Sequence, residues 1–236
     1  MRAVILNSGT GSRMGSLTEG RPKCLVPLND GDTILSRQIR MLQDAGVSDI
    51  LITIGPYENM IPDYLEKEFP GLKVNYVRNE LYDKTNYIYS MYLADEFLRE
   101  HILLLHGDIV LEPKVLHQIL KAKGSQVVVD STVPLPDKDF KGRLSAGRII
   151  EIGTTIEKGR DVVFLLPVYV LTRSFMERWM DAIAEFVHRE DTSVYAENAF
   201  NQISSDLALE PLDIKGAFCM EVDTLEDLAV AREEIR

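Results

Sequence analysis

Four short, almost wholly apolar runs recur along the first half of the chain: Ala3 to Leu6, Ile50 to Ile54, Val74 to Val77 and Ile102 to Leu105. A run without polar alternation has no wet face, so each belongs to a strand covered on both sides. The segments between them have helical character. Asp32 or Thr33 can cap a helix that carries Ile34, Leu35, Ile39 and Leu42 on one face and stops at Gly46. Further helices are expected around Asn59 to Phe69 and Asn86 to Leu98. The order β-α-β-α-β-α-β calls for a mostly parallel sheet with helices on both faces, in the α/β class, and in such sheets ligands bind beyond the carboxyl ends of the strands.

The pattern changes after Val127 to Val129. Asp137 to Gly153 is rich in turn residues and reads as a hairpin or an excursion over the site, and Val162 to Leu171 is another strand. Helices are expected around Arg173 to Val187 and Ala196 to Ser204. A strand at Phe218 to Val222 is followed by a helix from Thr224, with Asp227 completing a capping pair. With no internal repeat, low-complexity stretch or linker, residues 1–236 are expected to form one domain, for which the 45% hydrophobic content is ample.

The formal net charge of −11 excludes a general affinity for nucleic acid or anionic membrane, which attract basic patches. No apolar run approaches the roughly 20 residues a membrane helix needs, and the N-terminus turns polar too early for a secretory signal, so a cytoplasmic location is expected. Cys24 and Cys219 have neither metal-ligand nor disulfide spacing and are expected as free thiols. Nothing fixes the oligomeric state; a homodimer is one assembly open to the chain.

The first strand runs directly into Gly9-Thr10-Gly11-Ser12-Arg13-Met14-Gly15. Glycines there let backbone approach a ligand closely. A dinucleotide-binding fingerprint needs a glycine where Met14 stands, and a Walker loop needs a Gly-Lys-Ser/Thr ending. What remains is Gly-x-Gly-x-Arg, followed by Lys23 in Arg21-Pro22-Lys23. Such a turn can cradle phosphate oxygens while Arg13 and Lys23 supply positive charge, although a solvated loop is the plain alternative. Asp108 ends one apolar strand and Asp223 another. Carboxylates at two strand ends suit Mg²⁺, and Asp223 also suits a helix cap.

Taken together, Gly9 to Arg13 with Pro22-Lys23, the Gly107-Asp108 strand end, Asn79 with Thr85 to Met91, and Glu221 to Asp227 resemble the sugar-phosphate nucleotidyltransferase superfamily. Within it, the short cytidylyltransferases typified by bacterial phosphocholine cytidylyltransferase are the most similar. The resemblance covers nearly the whole chain. It implies a Rossmann-like, GT-A-like three-layer sandwich with a mixed, mostly parallel sheet. It implies a nucleotide-contacting set of Asn7, Ser8, Gly9, Thr10, Gly11, Arg13, Lys23, Asn79, Asn86 and Gly107. Lys23, Arg13 and Asp108 would be catalytic, and Asp108 with Asp223 would hold Mg²⁺. Asn7-Ser8 departs from the two alanines of many relatives.

The implied reaction joins a nucleoside triphosphate, CTP by preference, to a small phosphorylated or phosphonate substrate. An already anionic substrate oxygen needs no general base, so the four histidines need no catalytic role. Lys138 and Lys141 are candidates to bind the second substrate's phosphate or phosphonate, with solvated hairpin lysines as the alternative. Tyr195 and Glu197 are candidates to lie beside that substrate. Tyr82, Tyr87, Tyr89, Tyr92 and Tyr195, with Glu80 and Glu197, would suit a cationic head group, although aromatics at helical spacing usually pack a core. The rival readings are a sugar-1-phosphate nucleotidyltransferase using UTP, dTTP or GTP, a silent nucleotide-sensing domain, and a dehydrogenase, which Met14 disfavours.

Overall fold

The computed structural model describes residues 1–235. Its elements in chain order are β1 (Arg2–Asn7), α1 (Ile34–Asp44), β2 (Ile50–Ile54), α2 (Met60–Glu68), β3 (Val74–Arg78), α3 (Tyr87–Leu93), α4 (Asp95–Leu98), β4 (Ile102–His106) and β5 (Ile109–Leu111). Then come α5 (Pro113–Ile119), β6 (Gln126–Asp130), β7 (Lys141–Ser145), β8 (Arg148–Gly153), β9 (Val162–Leu171), α6 (Arg173–His188), α7 (Ala196–Ile203), β10 (Glu210–Asp213), β11 (Cys219–Glu221) and α8 (Leu225–Glu234). The sheet order is β10-β6-β9-β4-β1-β2-β3, with the β7–β8 hairpin added alongside β9. β1, β2, β3 and β4 run parallel, as do β6 and β10, whereas β9 is antiparallel to both β4 and β6. This is the mixed, mostly parallel sheet expected.

The apolar runs serve two cores because successive side chains of a strand face opposite ways. Ala3, Ile5, Ile50, Ile52, Leu103 and Leu105 pack under α1, α2 and α5. Val4, Leu6, Leu51, Ile102 and Leu104 face α3, α6 and α7, where Trp179, Phe175 and Phe200 pack together. Helix, sheet and helix thus make three layers. A third, smaller core joins Met14, Val26, Val110, Val222 and Leu228, so the Met14 side chain anchors the N-terminal loop on α8 and β5.

One expectation changes and two features are added. The helix read as continuous from Asn86 to Leu98 is divided at Ala94, where α3 gives way to α4. The terminal strand leaves the central sheet: β11 pairs antiparallel with β5 as a separate ribbon. The sequence reading also passed over β5, α5 and β10, which are short and draw their order from tertiary neighbours. Asp137 to Gly153 resolves into an irregular stretch followed by the β7–β8 hairpin, whose Ala146-Gly147 turn has both φ values positive, as a two-residue hairpin loop requires. Cys24 and Cys219 are free and buried. Among the described residues no helix is long and apolar enough to cross a membrane.

Trp179 is 2% exposed and donates its indole N–H to the Ala196 carbonyl at 3.0 Å, so it fastens α7 to α6. Trp179→Ala is expected to lower stability by about 3–5 kcal/mol. Urea denaturation followed by far-ultraviolet circular dichroism checks this, since Trp179 is the sole tryptophan and fluorescence would be lost.

Candidate nucleotidyl-transfer site

The carboxyl ends of β1 and β4 open into a cavity of about 400 Å³. Its loop wall follows from local chemistry. Gly11 has φ of +65°, which a glycine adopts without strain, and a Cβ there would lie 2.8 Å from the Lys23 Cβ. The Thr18 hydroxyl closes the loop by donating to the Gly11 and Gly15 carbonyls at 3.1 Å, and the Gly20 N–H donates to the Tyr57 hydroxyl. The chain therefore returns Lys23 beneath the glycines.

There the Lys23 ammonium bridges Asp108 Oδ2 at 2.8 Å and Asp223 Oδ1 at 2.5 Å, and Arg13 Nη2 reaches the same Asp223 oxygen at 2.9 Å. Burial acts to lower the Lys23 ammonium, but Asp108 and Asp223 together hold it above its ordinary value. Burial likewise pushes the Asp108 carboxyl up, and Lys23 with His106 outweighs it, keeping Asp108 below the usual carboxylate range.

Each aspartate is held by a separate device. Asp108 occupies the turn between β4 and β5, where the buried Gln38 amide of α1 donates to the carbonyls of His106 and Ile109, both at 2.9 Å. Asp223 precedes the α8 cap. Its N–H donates to Asp227 Oδ2, and Asp227 also takes the Thr224 N–H. The Val222 N–H donates to the Asp108 carbonyl at 2.9 Å, tying the two turns together.

Two further ionisable groups enter the cavity that the sequence reading left out. His106 Nδ1 lies 3.5 Å from Glu221 Oε1. Burial pushes the Glu221 carboxyl up to about 7, against the pull of His106. Burial would lower His106, but Glu221 raises it above its usual value. Both were legible in principle: His106 stands two residues before Asp108 and Glu221 two before Asp223, the spacing that places side chains on one face of an extended chain.

His106, Asp108 and Glu221 offer ligand atoms within 4.8 Å of one another, a grouping that can hold a metal ion. Asp108 Oδ1 is buried with no hydrogen-bond partner, so this carboxylate oxygen has lone pairs that no protein donor uses. Together with a lysine cation already seated between Asp108 and Asp223, these donors fit a hard divalent ion, which prefers carboxylate oxygen.

The cavity brings together Asn7, Ser8, Gly9, Thr10, Gly11, Arg13, Lys23, Asn79, Asn86, Gly107, Asp108 and Asp223. Behind them the polar atoms are tightly connected. Ser8 and Ser90 share a 2.6 Å hydrogen bond, and the Asn79 amide donates to Ser90 and Thr85. Asn86 caps α3 by accepting from the Tyr87 N–H. At the opposite rim stand Lys138, Asp139, Phe140, Thr154, Tyr82, Tyr87 and Tyr195. The Phe140 and Tyr195 rings meet at 5.0 Å and the Tyr87 and Tyr195 rings at 5.8 Å.

Five of the other candidates lie elsewhere, among them Glu80, which faces Arg78 at 3.6 Å. Lys141 is 2% exposed, and its ammonium points at peptide carbonyls rather than into the cavity. Glu197 is 1% exposed and accepts the hydroxyls of Tyr87 and Tyr169, so it supports the aromatic wall from behind. Tyr89 and Tyr92 stack on each other outside the cavity.

The sheet order and layering define a nucleotidyltransferase fold: the structure of CTP:phosphocholine cytidylyltransferase from Streptococcus pneumoniae superposes with a TM-score of 0.81 at 23% identity, covering 100% of this chain and 99% of that one. The chain belongs to the MobA-like NTP transferase family, whose domain matches residues 3–196. It is 36% identical over 238 residues to the CMP-5'-(3-aminopropyl)phosphonate synthase of Streptomyces rubellomurinus, covering 97% of this chain and 36% of that protein. It is also 25% identical over 262 residues to the CTP:phosphoglutamine cytidylyltransferase of Campylobacter jejuni, covering 99% of this chain and all of that protein. The chain thus spans only about a third of the Streptomyces relative's length.

A Cβ on Gly107 would fall 1.7 Å from Asn7 Oδ1, so the asparagine side chain occupies the space that a larger residue would need. Gly107→Ala is expected to cost about 1–3 kcal/mol through this overlap, and adding Asn7→Ala should recover most of it. Thermal melts of the two single variants and the double variant read the coupling.

Proposed function

We propose that the chain is a CTP-dependent cytidylyltransferase that joins CTP to a small aminoalkylphosphonate or phosphorylated amine, forming a CMP-linked product and pyrophosphate. One domain, residues 1–236, would carry the whole site. The observation that carries this reading is the Lys23 cation set between Asp108 and Asp223 beneath a glycine-rich loop, in a cavity with an aromatic rim. The relative at 36% identity, named for an aminopropylphosphonate product, favours this substrate class.

In the proposed reaction an anionic oxygen of the phosphonate or phosphate attacks the α-phosphorus in line. The new P–O bond forms as the bond to the β-phosphate oxygen breaks, and pyrophosphate leaves with the electron pair. The loop from Gly9 to Arg13 aligns the triphosphate with its backbone N–H groups. Lys23 and Arg13 neutralise charge on the phosphates, so positioning and electrostatics carry the rate. Mg²⁺ would be held by Asp108 and Asp223, with Glu221 beside them, and would add charge neutralisation. Asn7, Ser8, Thr10, Asn79, Asn86 and Gly107 shape the nucleotide side of the cavity. Lys138 serves the phosphonate, while Tyr82, Tyr87, Tyr195 and Phe140 receive an ammonium head by cation–π attraction. Glu197 acts indirectly, by orienting Tyr87.

Pyrophosphate release measured over four nucleoside triphosphates against aminoalkylphosphonates, phosphocholine, phosphoethanolamine and sugar 1-phosphates tests the reading. The highest kcat/KM is expected with CTP and an amine-bearing phosphonate or phosphate ester. Preference for a sugar 1-phosphate with another nucleotide would replace this reading, and absence of release with every pair would favour a silent nucleotide-binding domain. Asp108→Ala and Lys23→Met should each lower kcat by at least about 10²-fold. Chelation should abolish release and added Mg²⁺ should restore it; an Asp108→Ala enzyme with full activity would overturn the metal assignment.

A further inference from the structure

Lys141 begins β7 between two hydrogen-bonded neighbours, Gly153 of β8 and Phe164 of β9. Its ammonium donates to the carbonyls of Pro136 at 3.2 Å, Asp137 at 3.4 Å, Asp139 at 3.3 Å and Thr154 at 2.5 Å. All four acceptors are peptide oxygens, while the Asp137 carboxylate is turned to Lys158 at 2.7 Å. A buried ammonium is costly unless its protons are bonded, and three protons here are shared among four acceptors.

Two of the acceptor residues, Asp139 and Thr154, line the cavity. Residues 136–139 belong to the irregular stretch between β6 and β7, and Thr154 follows β8. Among the described residues, the carbonyls of Pro136, Asp137 and Asp139 accept from no backbone N–H, so Lys141 is what gathers them. The same stretch presents Lys138, Asp139 and Phe140 to the cavity.

We propose that Lys141 is a positioning residue for the second substrate: its buried ammonium draws segment 136–139 and Thr154 together and so fixes the rim on which Lys138, Asp139 and Phe140 stand. This rests on the reading that the rim receives the second substrate. A methionine fills nearly the same volume but offers no donors, so the carbonyls of segment 136–139, none of whose residues is buried, are left to water. The charge at position 141 acts on the rim, and an effect confined to the second substrate separates this role from a merely structural one.

Steady-state kinetics with Lys141→Met is expected to raise KM for the second substrate by about tenfold or more and to leave KM for CTP within about twofold. In Lys141→Ala, added methylammonium should occupy the vacated carbonyl cage and lower the second-substrate KM again, which keeps the test open if the methionine variant does not fold. KM values for both substrates rising together, an unchanged second-substrate KM, or no response to methylammonium would overturn the proposal. Were the unaltered protein to release no pyrophosphate with any pair, the functional reading would fail separately. Limited digestion by proteinase K within residues 133–140 would then decide Lys141's role. Faster cleavage there alone in Lys141→Met supports the ordering role, and an unchanged rate refutes it.

Discussion

The ion cluster of Lys23, Asp108 and Asp223 joins parts of the chain that share no strand: the N-terminal loop, the β4–β5 turn and the β11–α8 junction. Each charge sits where water is scarce, with side-chain exposures between 13% and 23%. In such surroundings removing one partner leaves another charge uncompensated, so the three segments are held together as a set. The remainder of the site depends on this set, because the glycine-rich loop keeps its place only while Lys23 has both aspartates to face and Met14 has its small core.

The supports for these charges are mostly uncharged and come from the scaffold. Gln38 reaches from α1 to both sides of the Asp108 turn, Asp227 holds the Asp223 and Thr224 N–H groups, and Ser8, Ser90 and Asn79 link the loop to α3. Sites whose groups are fixed by a second set of hydrogen bonds need little rearrangement when a charged ligand arrives. The opposite rim is organised by other means, aromatic contacts and the carbonyls around Lys141. The cavity thus has a floor built from charge pairs and a rim built from packed rings and a single buried cation.

Much of the fold was readable because apolar runs such as Ile102 to Leu105 can be satisfied only by a two-sided sheet. The caps at Thr33 and Thr224 also mark their helices locally. β5 and β11 were not readable as a ribbon, since three-residue strands carry little periodic signal and owe their pairing to each other. In the site, the glycine spacing with Arg13 and Lys23 and the strand-end positions of Asp108 and Asp223 stood out in combination, although Asp223 alone also suits a helix cap. His106 and Glu221 were hidden by their proximity to the more conspicuous aspartates, and Phe140 by its setting among turn residues.

Sequence by itself determined the layered α/β architecture and the loop that ends the first strand, because hydrophobic period and glycine placement act within a few residues of where they are written. It also marked the lysines at 138 and 141 as candidates for the second substrate's phosphate or phosphonate, or else as solvated hairpin lysines. Only the tertiary structure divided their fates, exposing Lys138 at the cavity and burying Lys141 among carbonyls. It likewise placed the Glu197 carboxylate behind Tyr87. The physical reason is common to these cases. A charged side chain's environment is set by how the chain folds around it, whether its partners are near in sequence, as for Lys141, or distant, as for Glu197, and its immediate neighbours do not encode that burial.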